Sequence, residues 1–497
     1  MSTMNPSASG LIMLPEELVL SILDYIESDD IETIFALNTT CRLLHRLTLD
    51  RLYRKFPGRA PQQFLRTIAL PPPDGNPALA SHVKEVVWYQ SYWTQQAWRR
   101  GLSLGDRHWV ADELRKSGCI LNTTDLSMDL PGRFIGFSSE YEVHWWLLEF
   151  FLFFTPKVEK LFVYDVWQWD DHSYWFESLA ANPTLFENLK SITLHGPMRL
   201  QNIVPLLTLP SIRNMELSQV INMRREPGRT FPWTDGRDDY IAKRLAHGSS
   251  LERLILRESD ILFSSAVEIF QSLRKLKNMT YEHVPNDLTY PTGWLSFAIE
   301  CMGEIYQGQD CSLEHYRLRD KHIIVEGNVY LLFRLSVESS EGLQSTLQKL
   351  RVLDIGPCNL ASFIGTNDRL RVQQIVGYLP RTLETLHIQW AYTIDWDRQL
   401  PPFLEFLLSL ARTVVVSSNM RLRQVAIVNW PALAGWFPLP DKLLELQRAY
   451  AEMGMHFTVI YEDIKDGDPL EILDEVESEW LWVQKTTSFE THLDYFW

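Results

Sequence analysis

The chain has little of what most sequence-level assignments rest on. Its five cysteines (Cys41, Cys119, Cys301, Cys311 and Cys358) are odd in number and never spaced C-x-x-C. That argues against a disulfide framework or a zinc ribbon and fits a reducing cytoplasmic or nuclear compartment. There is no P-loop, no G-x-G-x-x-G, no H-E-x-x-H and no G-x-S-x-G, so no phosphate cradle, zinc pair or nucleophile elbow is expected. We therefore expect no cofactor, no metal and no catalytic residues. Positive charge is also scarce: the formal net charge is −16, which disfavours nucleic acid or an anionic membrane as the main partner. The most apolar run, Trp145 to Phe154, contains Glu149 and is about half the length of a membrane span, so it reads as a buried helix. Met1 to Gly10 lacks the basic and apolar regions of a signal peptide, and residues 1–12 read as disordered.

What is present begins at Leu14. Leu14-Pro15-Glu16-Glu17 opens a helix, with proline at its first position and two carboxylates where the dipole favours them. Leu18, Ile22 and Ile26 form one apolar stripe and Val19 and Leu23 a second. A helix apolar on two sides is normally covered on both. Asp29, with Glu32 three residues on, is the expected cap of a second helix carrying Ile31, Ile34, Phe35 and Leu37. A third starts at Thr39 or Thr40 and carries Cys41, Leu43, Leu44, Leu47 and Leu52. Three such helices bury too little to stand alone without a metal, a disulfide or a partner. A partner is the remaining choice.

These residues resemble an F-box: Leu14-Pro15-Glu16-Glu17-Leu18, Ile22-Leu23, Ile26, the Asp29-Asp30-Ile31 turn, Cys41-Arg42 and Leu52-Tyr53. The resemblance covers residues 13–56. It implies docking on the Skp-type adaptor of a cullin–RING ubiquitin ligase through Leu14, Pro15, Leu18, Ile22, Ile31 and Cys41. The rest of the chain would then recruit a target protein.

Residues 57–80 are rich in proline and read as a semi-rigid linker, interrupted by a short helix over 62–70. A pattern then recurs: apolar, two free positions, apolar, one free, apolar. The copies are VKEVVW from Val83, VEKLFV from Val158, LKSITL from Leu189, IRNMEL from Ile212 and LERLIL from Leu251, then LKNMTY from Leu276, LEHYRL from Leu313, LRVLDI from Leu350, LETLHI from Leu383 and LRQVAI from Leu422. Spacings run from 23 residues (Leu189 to Ile212) to 75 (Val83 to Val158). The longest gap is expected to be filled by helices. This is the strand signature of a leucine-rich repeat, kept irregularly.

Helical spacing between copies, as in Ile261, Leu262, Ala266, Ile269, Phe270 and Leu273, or Phe403, Leu404, Leu407, Leu408 and Leu410, forces parallel pairing with helices outside. The fold class is therefore α/β: a three-helix F-box, then an irregular leucine-rich-repeat-like solenoid over 81–463 with parallel strands inside and helices outside. Phe457 to Tyr461 is the expected last strand, and 464–497 an acidic tail or cap.

By the period of two along a strand, the third, fifth and seventh positions of each copy face outward. They bring Arg253, Arg257, His315, Arg317 and Arg319 onto one face, around Asn278, Thr280 and Glu282. Arginine forks match carboxylate and phosphate, so an acidic or phosphorylated target is expected there. Pairing of these arginines with Glu282 is the alternative. The stretch Tyr164 to His172 holds carboxylates, tryptophans and a histidine, and reads as a loop leaving a strand rather than a site. The function implied is a substrate receptor that performs no bond chemistry. The alternatives are a scaffold that binds the adaptor without cullin, or an unrecognised hydrolase.

Overall fold

The computed structural model describes residues 14–26, 30–58, 61–73, 75–89, 142–164, 174–221, 248–259, 261, 269–283, 312–320, 347–355, 376, 379–389, 396–417, 420–428, 441–462 and 469–472. Its backbone is one sheet of thirteen strands ordered as they occur in the chain. These are β1 (Lys55–Phe56), β2 (Glu85–Tyr89), β3 (Lys160–Tyr164), β4 (Ser191–Arg199), β5 (Asn214–Ile221), β6 (Arg253–Ser259) and β7 (Asn278–His283), followed by β8 (His315–Asp320), β9 (Val352–Ile355), β10 (Thr385–Gln389), β11 (Gln424–Val428), β12 (His456–Glu462) and β13 (Pro469–Ile472). Pairing is parallel from β1 to β12 and antiparallel between β12 and β13.

All ten copies sit in one register. The fourth positions align across the ladder as Val86, Leu161, Ile192, Met215, Leu254, Met279, Tyr316, Leu353, Leu386 and Val425. These residues, and the opening apolar residue of every copy, are buried in a single core. A slip of one residue would turn that row to the other face, so the apolar pattern fixes the register. Helices between the strands cover the core. Among them are α5 (Glu142–Phe154), α6 (Tyr174–Ala181), α7 (Leu200–Leu207) and α8 (Trp396–Val416), burying Phe150 and Phe151, Phe176 and Leu179, Val204 and Leu206, and Leu407 and Leu410. Within the Trp145–Phe154 run, the stretch from Leu148 to Phe153 is thus buried on a helix as its composition implied. The final helix, α9 (Asp441–Glu452), lies against α8, and the buried Tyr450 hydroxyl donates to the Leu407 carbonyl at 2.8 Å.

At the N-terminus are α1 (Glu16–Asp24), α2 (Ile31–Asn38) and α3 (Arg42–Arg54). The caps differ from expectation by a residue or more. Pro15 precedes α1 and accepts through its carbonyl from the amides of Leu18 and Val19. The Asp30 carboxylate takes the Thr33 amide at the start of α2, and hydrogen bonding from the Thr33 side chain, then from its amide, holds that carboxyl below its usual range. Asp29 lies outside the described residues. Cys41 Sγ, rather than a threonine, accepts from the Leu44 amide at the start of α3. The three helices enclose a small core of Val19, Leu23, Leu44 and Leu47, against which Leu14, Ile26 and Cys41 pack.

The segment expected to be a linker is the helical part of the first coil. The backbone passes from Arg54 in α3 directly to Lys55 in β1, so strand pairing begins before residue 57. Helix α4 (Pro61–Ala69) and a 3-10 turn (Pro77–His82) follow, and Leu65, Ile68, Ala69, Leu79 and Ala80 are sealed in the main core. Proline density misled here because two of the prolines start elements: Pro61 opens α4 and Pro77 opens the turn. Phe56 completes the joint, with ring centroids 4.5 Å from Phe151, 5.0 Å from Phe64 and 6.2 Å from Trp88. His82 Nδ1 reaches Asp50 of α3 at 3.0 Å across the same boundary.

At the far end, β12 matches the expected last strand. The antiparallel β13 lies within what was read as acidic tail; residues 473–497 are outside the described set. Among the described residues, no helix is long and apolar enough to cross a membrane.

Candidate docking surfaces

The two apolar stripes of α1 have opposite fates. Val19 and Leu23 are 0% and 2% exposed, whereas Leu18 and Ile22, one turn apart on the neighbouring stripe, are 50% and 43% exposed. Helix α2 repeats the division: Ile34 is sealed, while Ile31 and Phe35, again one turn apart, are 40% and 58% exposed. Tyr25 at the C-cap of α1 is exposed as well. Large apolar side chains clustered on so small a unit are what an interaction surface would need. Of the six residues that the resemblance implicates, Leu18, Ile22, Ile31 and Pro15 are exposed. Leu14 and Cys41 are half-buried against the small core, and Cys41 also caps α3. Phe35 and Tyr25 were missed, although the i, i+4 spacing of Ile31 and Phe35 was available as a signal.

Polar ties hold the unit in shape. Arg51 on α3 donates to the Asp24 carboxylate and the Leu23 carbonyl at the end of α1, and Arg46 pairs with Glu16. The buried Asn38 amide donates to Thr48 Oγ1 at 3.0 Å and links α2 to α3.

The outward face of the sheet carries the residues expected to meet a target. The structure places Arg257 and Arg317 there, but each is already engaged. Arg257 Nε lies 2.6 Å from Glu216 and its Nη1 3.5 Å from Glu282. Burial disfavours the Arg257 cation, yet the Glu216 hydrogen bond and the nearby Glu282 and Glu258 outweigh that and raise its pKa. Arg317 Nε lies 2.7 Å from Asp354. Glu282 and Asp354 are each 1% exposed, so these arginines neutralise buried carboxylates. Taking one partner away would leave a buried charge uncompensated, so the pairs hold the face together. Arg253 and His315 remain exposed in one row with Asn278 between them. The side chain of Arg319 lies outside the described residues.

Toward the first strands the same face becomes aromatic. Tyr89, Tyr164 and His195 occupy successive seventh positions, stacked at 5.0 Å with interplanar angles of 15° and 6°. His195 Nδ1 lies 2.8 Å from Ser218 Oγ, the next residue along. Burial, with help from Tyr89 and Glu216, raises the Tyr164 pKa and keeps its hydroxyl protonated. Gly58 closes the row: at φ +82° a Cβ there would lie 2.7 Å from the Tyr89 ring, so no larger residue fits. One position beyond this row, Gln219 and Glu258 take positive φ of 61° and 49° on adjacent strands, with register shifts beside them. For residues other than glycine such a backbone costs on the order of 1–3 kcal/mol. Of the Tyr164–His172 stretch only Tyr164 is described.

The second position of every copy forms a row that sequence reading passed over: Lys84, Glu159, Lys190, Arg213, Glu252, Lys277, Glu314, Arg351, Glu384 and Arg423. Each amide in the row donates to the carbonyl of the residue before it, at 2.7–2.9 Å. Its charges alternate over most of its length, and ion pairs join Lys84 to Glu159 (3.3 Å), Arg213 to Glu252 (3.7 Å) and Lys277 to Glu252 (2.7 Å). The Lys277 hydrogen bond holds the Glu252 carboxyl below its usual range. The signal was in plain view, since the residue after each opening apolar position is charged in all ten copies.

No family model matches the sequence, and no curated protein does. Among solved structures, a leucine-rich-repeat protein of Leptospira interrogans is similar over 63% of this chain and 74% of its own, at 10% identity and a TM-score of 0.19. A likeness that slight carries no argument. The ladder itself does: twelve parallel strands in continuous register are consistent with a leucine-rich-repeat-like solenoid. Among the described residues no group of histidine, cysteine and carboxylate could hold a metal ion.

Proposed function

We propose that the chain is a substrate receptor of a Skp–cullin–RING ubiquitin ligase, with the three N-terminal helices acting as an F-box and the solenoid holding the target. The observation that carries the reading is the division of α1, whose Val19–Leu23 stripe is buried in the small core and whose Leu18–Ile22 stripe is left exposed. A partner helix laid across Leu18, Ile22, Ile31 and Phe35 removes apolar surface from water at roughly 25 cal/mol per Å². The receptor works by proximity: a bound target and a bound ligase share one chain, which raises the effective concentration of target lysines.

Co-expression with a Skp-type adaptor tests the reading. The adaptor is expected to co-purify at one to one and to bring cullin with it. Adaptor without cullin would favour the non-degradative scaffold, and failure to capture adaptor would remove the F-box assignment.

A further inference from the structure

We infer that the three turns entering β9, β10 and β11 form a docking surface for an acidic protein segment whose carboxylates stand about three residues apart. The inference rests on the substrate-receptor reading only in assigning that segment to a captured target.

In a chain of net charge −16, Arg351, Arg381, Arg421 and Arg423 gather on three consecutive turns. The turns are joined directly. The amides of Glu384 and Thr385 donate to the Arg351 carbonyl at 2.8 and 3.0 Å, the Arg421 amide to the Arg381 carbonyl at 3.1 Å, and the Arg423 amide to the Glu384 carbonyl at 2.9 Å. All four arginines are exposed. Among the described residues, none of the four has a side-chain hydrogen bond or ion pair. Elsewhere on this sheet Arg213, Arg257 and Arg317 each meet a carboxylate.

Glu384 is the one carboxylate on these turns, where Lys349 joins the four arginines, so five cations face one anion and the local charge is +4. Like charges held together without counter-charges concentrate a positive potential at that edge. That four of the five are arginine favours planar, forked recognition of oxyanions over the point charge that lysine would offer.

Spacing narrows the ligand. β9 and β11 are two strand spacings apart, roughly 10 Å, which is more than one phosphate group spans. An extended peptide advances about 3.3 Å per residue, so carboxylates three residues apart reach both outer turns together. The residues between them pass Glu384 and must not be acidic. A nucleic-acid strand, with a phosphate about every 3.4 Å of helix axis, would set a charge against Glu384, and Glu314 stands one strand further along the same row.

The experiment is fluorescence anisotropy with the full-length chain and a labelled peptide bearing aspartate at every third position. Its controls are the asparagine counterpart, an all-aspartate peptide and oligo-dT. We expect the spaced peptide to bind best, with affinity falling as salt rises. R351Q/R381Q/R421Q/R423Q is expected to weaken it at least tenfold without moving the melting temperature. E384Q is expected to tighten the all-aspartate peptide severalfold, a gain that misfolding cannot imitate. Binding by the quadruple variant within twofold of wild type, an unchanged or weaker E384Q, or preference for oligo-dT would each overturn the inference. Peptide binding without adaptor capture would leave the surface standing and remove the ligase reading; the converse would do the opposite.

Discussion

Leu18 and Val19 are neighbours in sequence with opposite surroundings: Val19 is sealed among Leu23, Leu44 and Leu47, while Leu18 is half exposed. That contrast separates folding from docking by a single residue. We predict that Leu18→Asp with Ile22→Asp abolishes adaptor capture and leaves the melting temperature unchanged. Leu23→Ala is predicted to cost about 2–5 kcal/mol of stability in the helical unit. A double variant that still captured adaptor at wild-type level would refute the docking face.

A second prediction concerns the joint. Phe56 lies fully buried among Phe64, Trp88 and Phe151, so Phe56→Ala is expected to cost about 3–5 kcal/mol. Limited proteolysis of the native chain is expected to spare residues 61–70. Rapid cleavage there would mean that the stretch behaves as a linker after all.

The charged row predicts an acid limb. The folded pKa of Glu252 lies below its unfolded value, chiefly through the Lys277 hydrogen bond. The stability it contributes is therefore present above the ordinary carboxylate range and is lost as pH falls through the lowered pKa. Lys277→Met removes the main cause. Urea midpoints of wild type and variant should differ near neutrality and converge in acid. A gap that stays constant with pH would show the pair to be inert.

Tyr450 gives the alkaline counterpart. Burial raises its pKa above the ordinary phenol value, so the stability it contributes is present below that value and is lost as pH rises past it. Tyr450→Phe deletes the hydrogen bond to the Leu407 carbonyl at a cost of about 1 kcal/mol. It should also make the chain less sensitive to alkali, measured as a shallower fall in midpoint above the ordinary tyrosine range. Equal alkaline profiles would rule this out.

Much of this architecture was legible because strand registers are written in apolar spacing. Leu350, Leu353 and Ile355 read as an inward set from the sequence, and all three are buried. Helix caps were less legible, since Asp29 and Asp30, or Thr40 and Cys41, offer similar acceptors one residue apart and only backbone geometry decides between them. The partners of Arg257 and Arg317 were half legible. Glu282 sits level with Arg257 in the next copy, but Glu216 and Asp354 come from strands whose pairing has to be known first. The joint at Phe56 was hidden because a two-residue strand has no period to read.

The reversed strand β13 bears on how many copies of the chain can join. Twelve strands of one direction and one register end in two edges of complementary polarity, which is the geometry of head-to-tail growth into open filaments. At the leading end β1 offers only two residues, Lys55 and Phe56, to such an edge. At the trailing end β13 runs against β12 and opens with Pro469, which has no amide to donate. A second molecule continuing the parallel order would meet a strand of the opposite direction there, which works against head-to-tail extension of the described sheet.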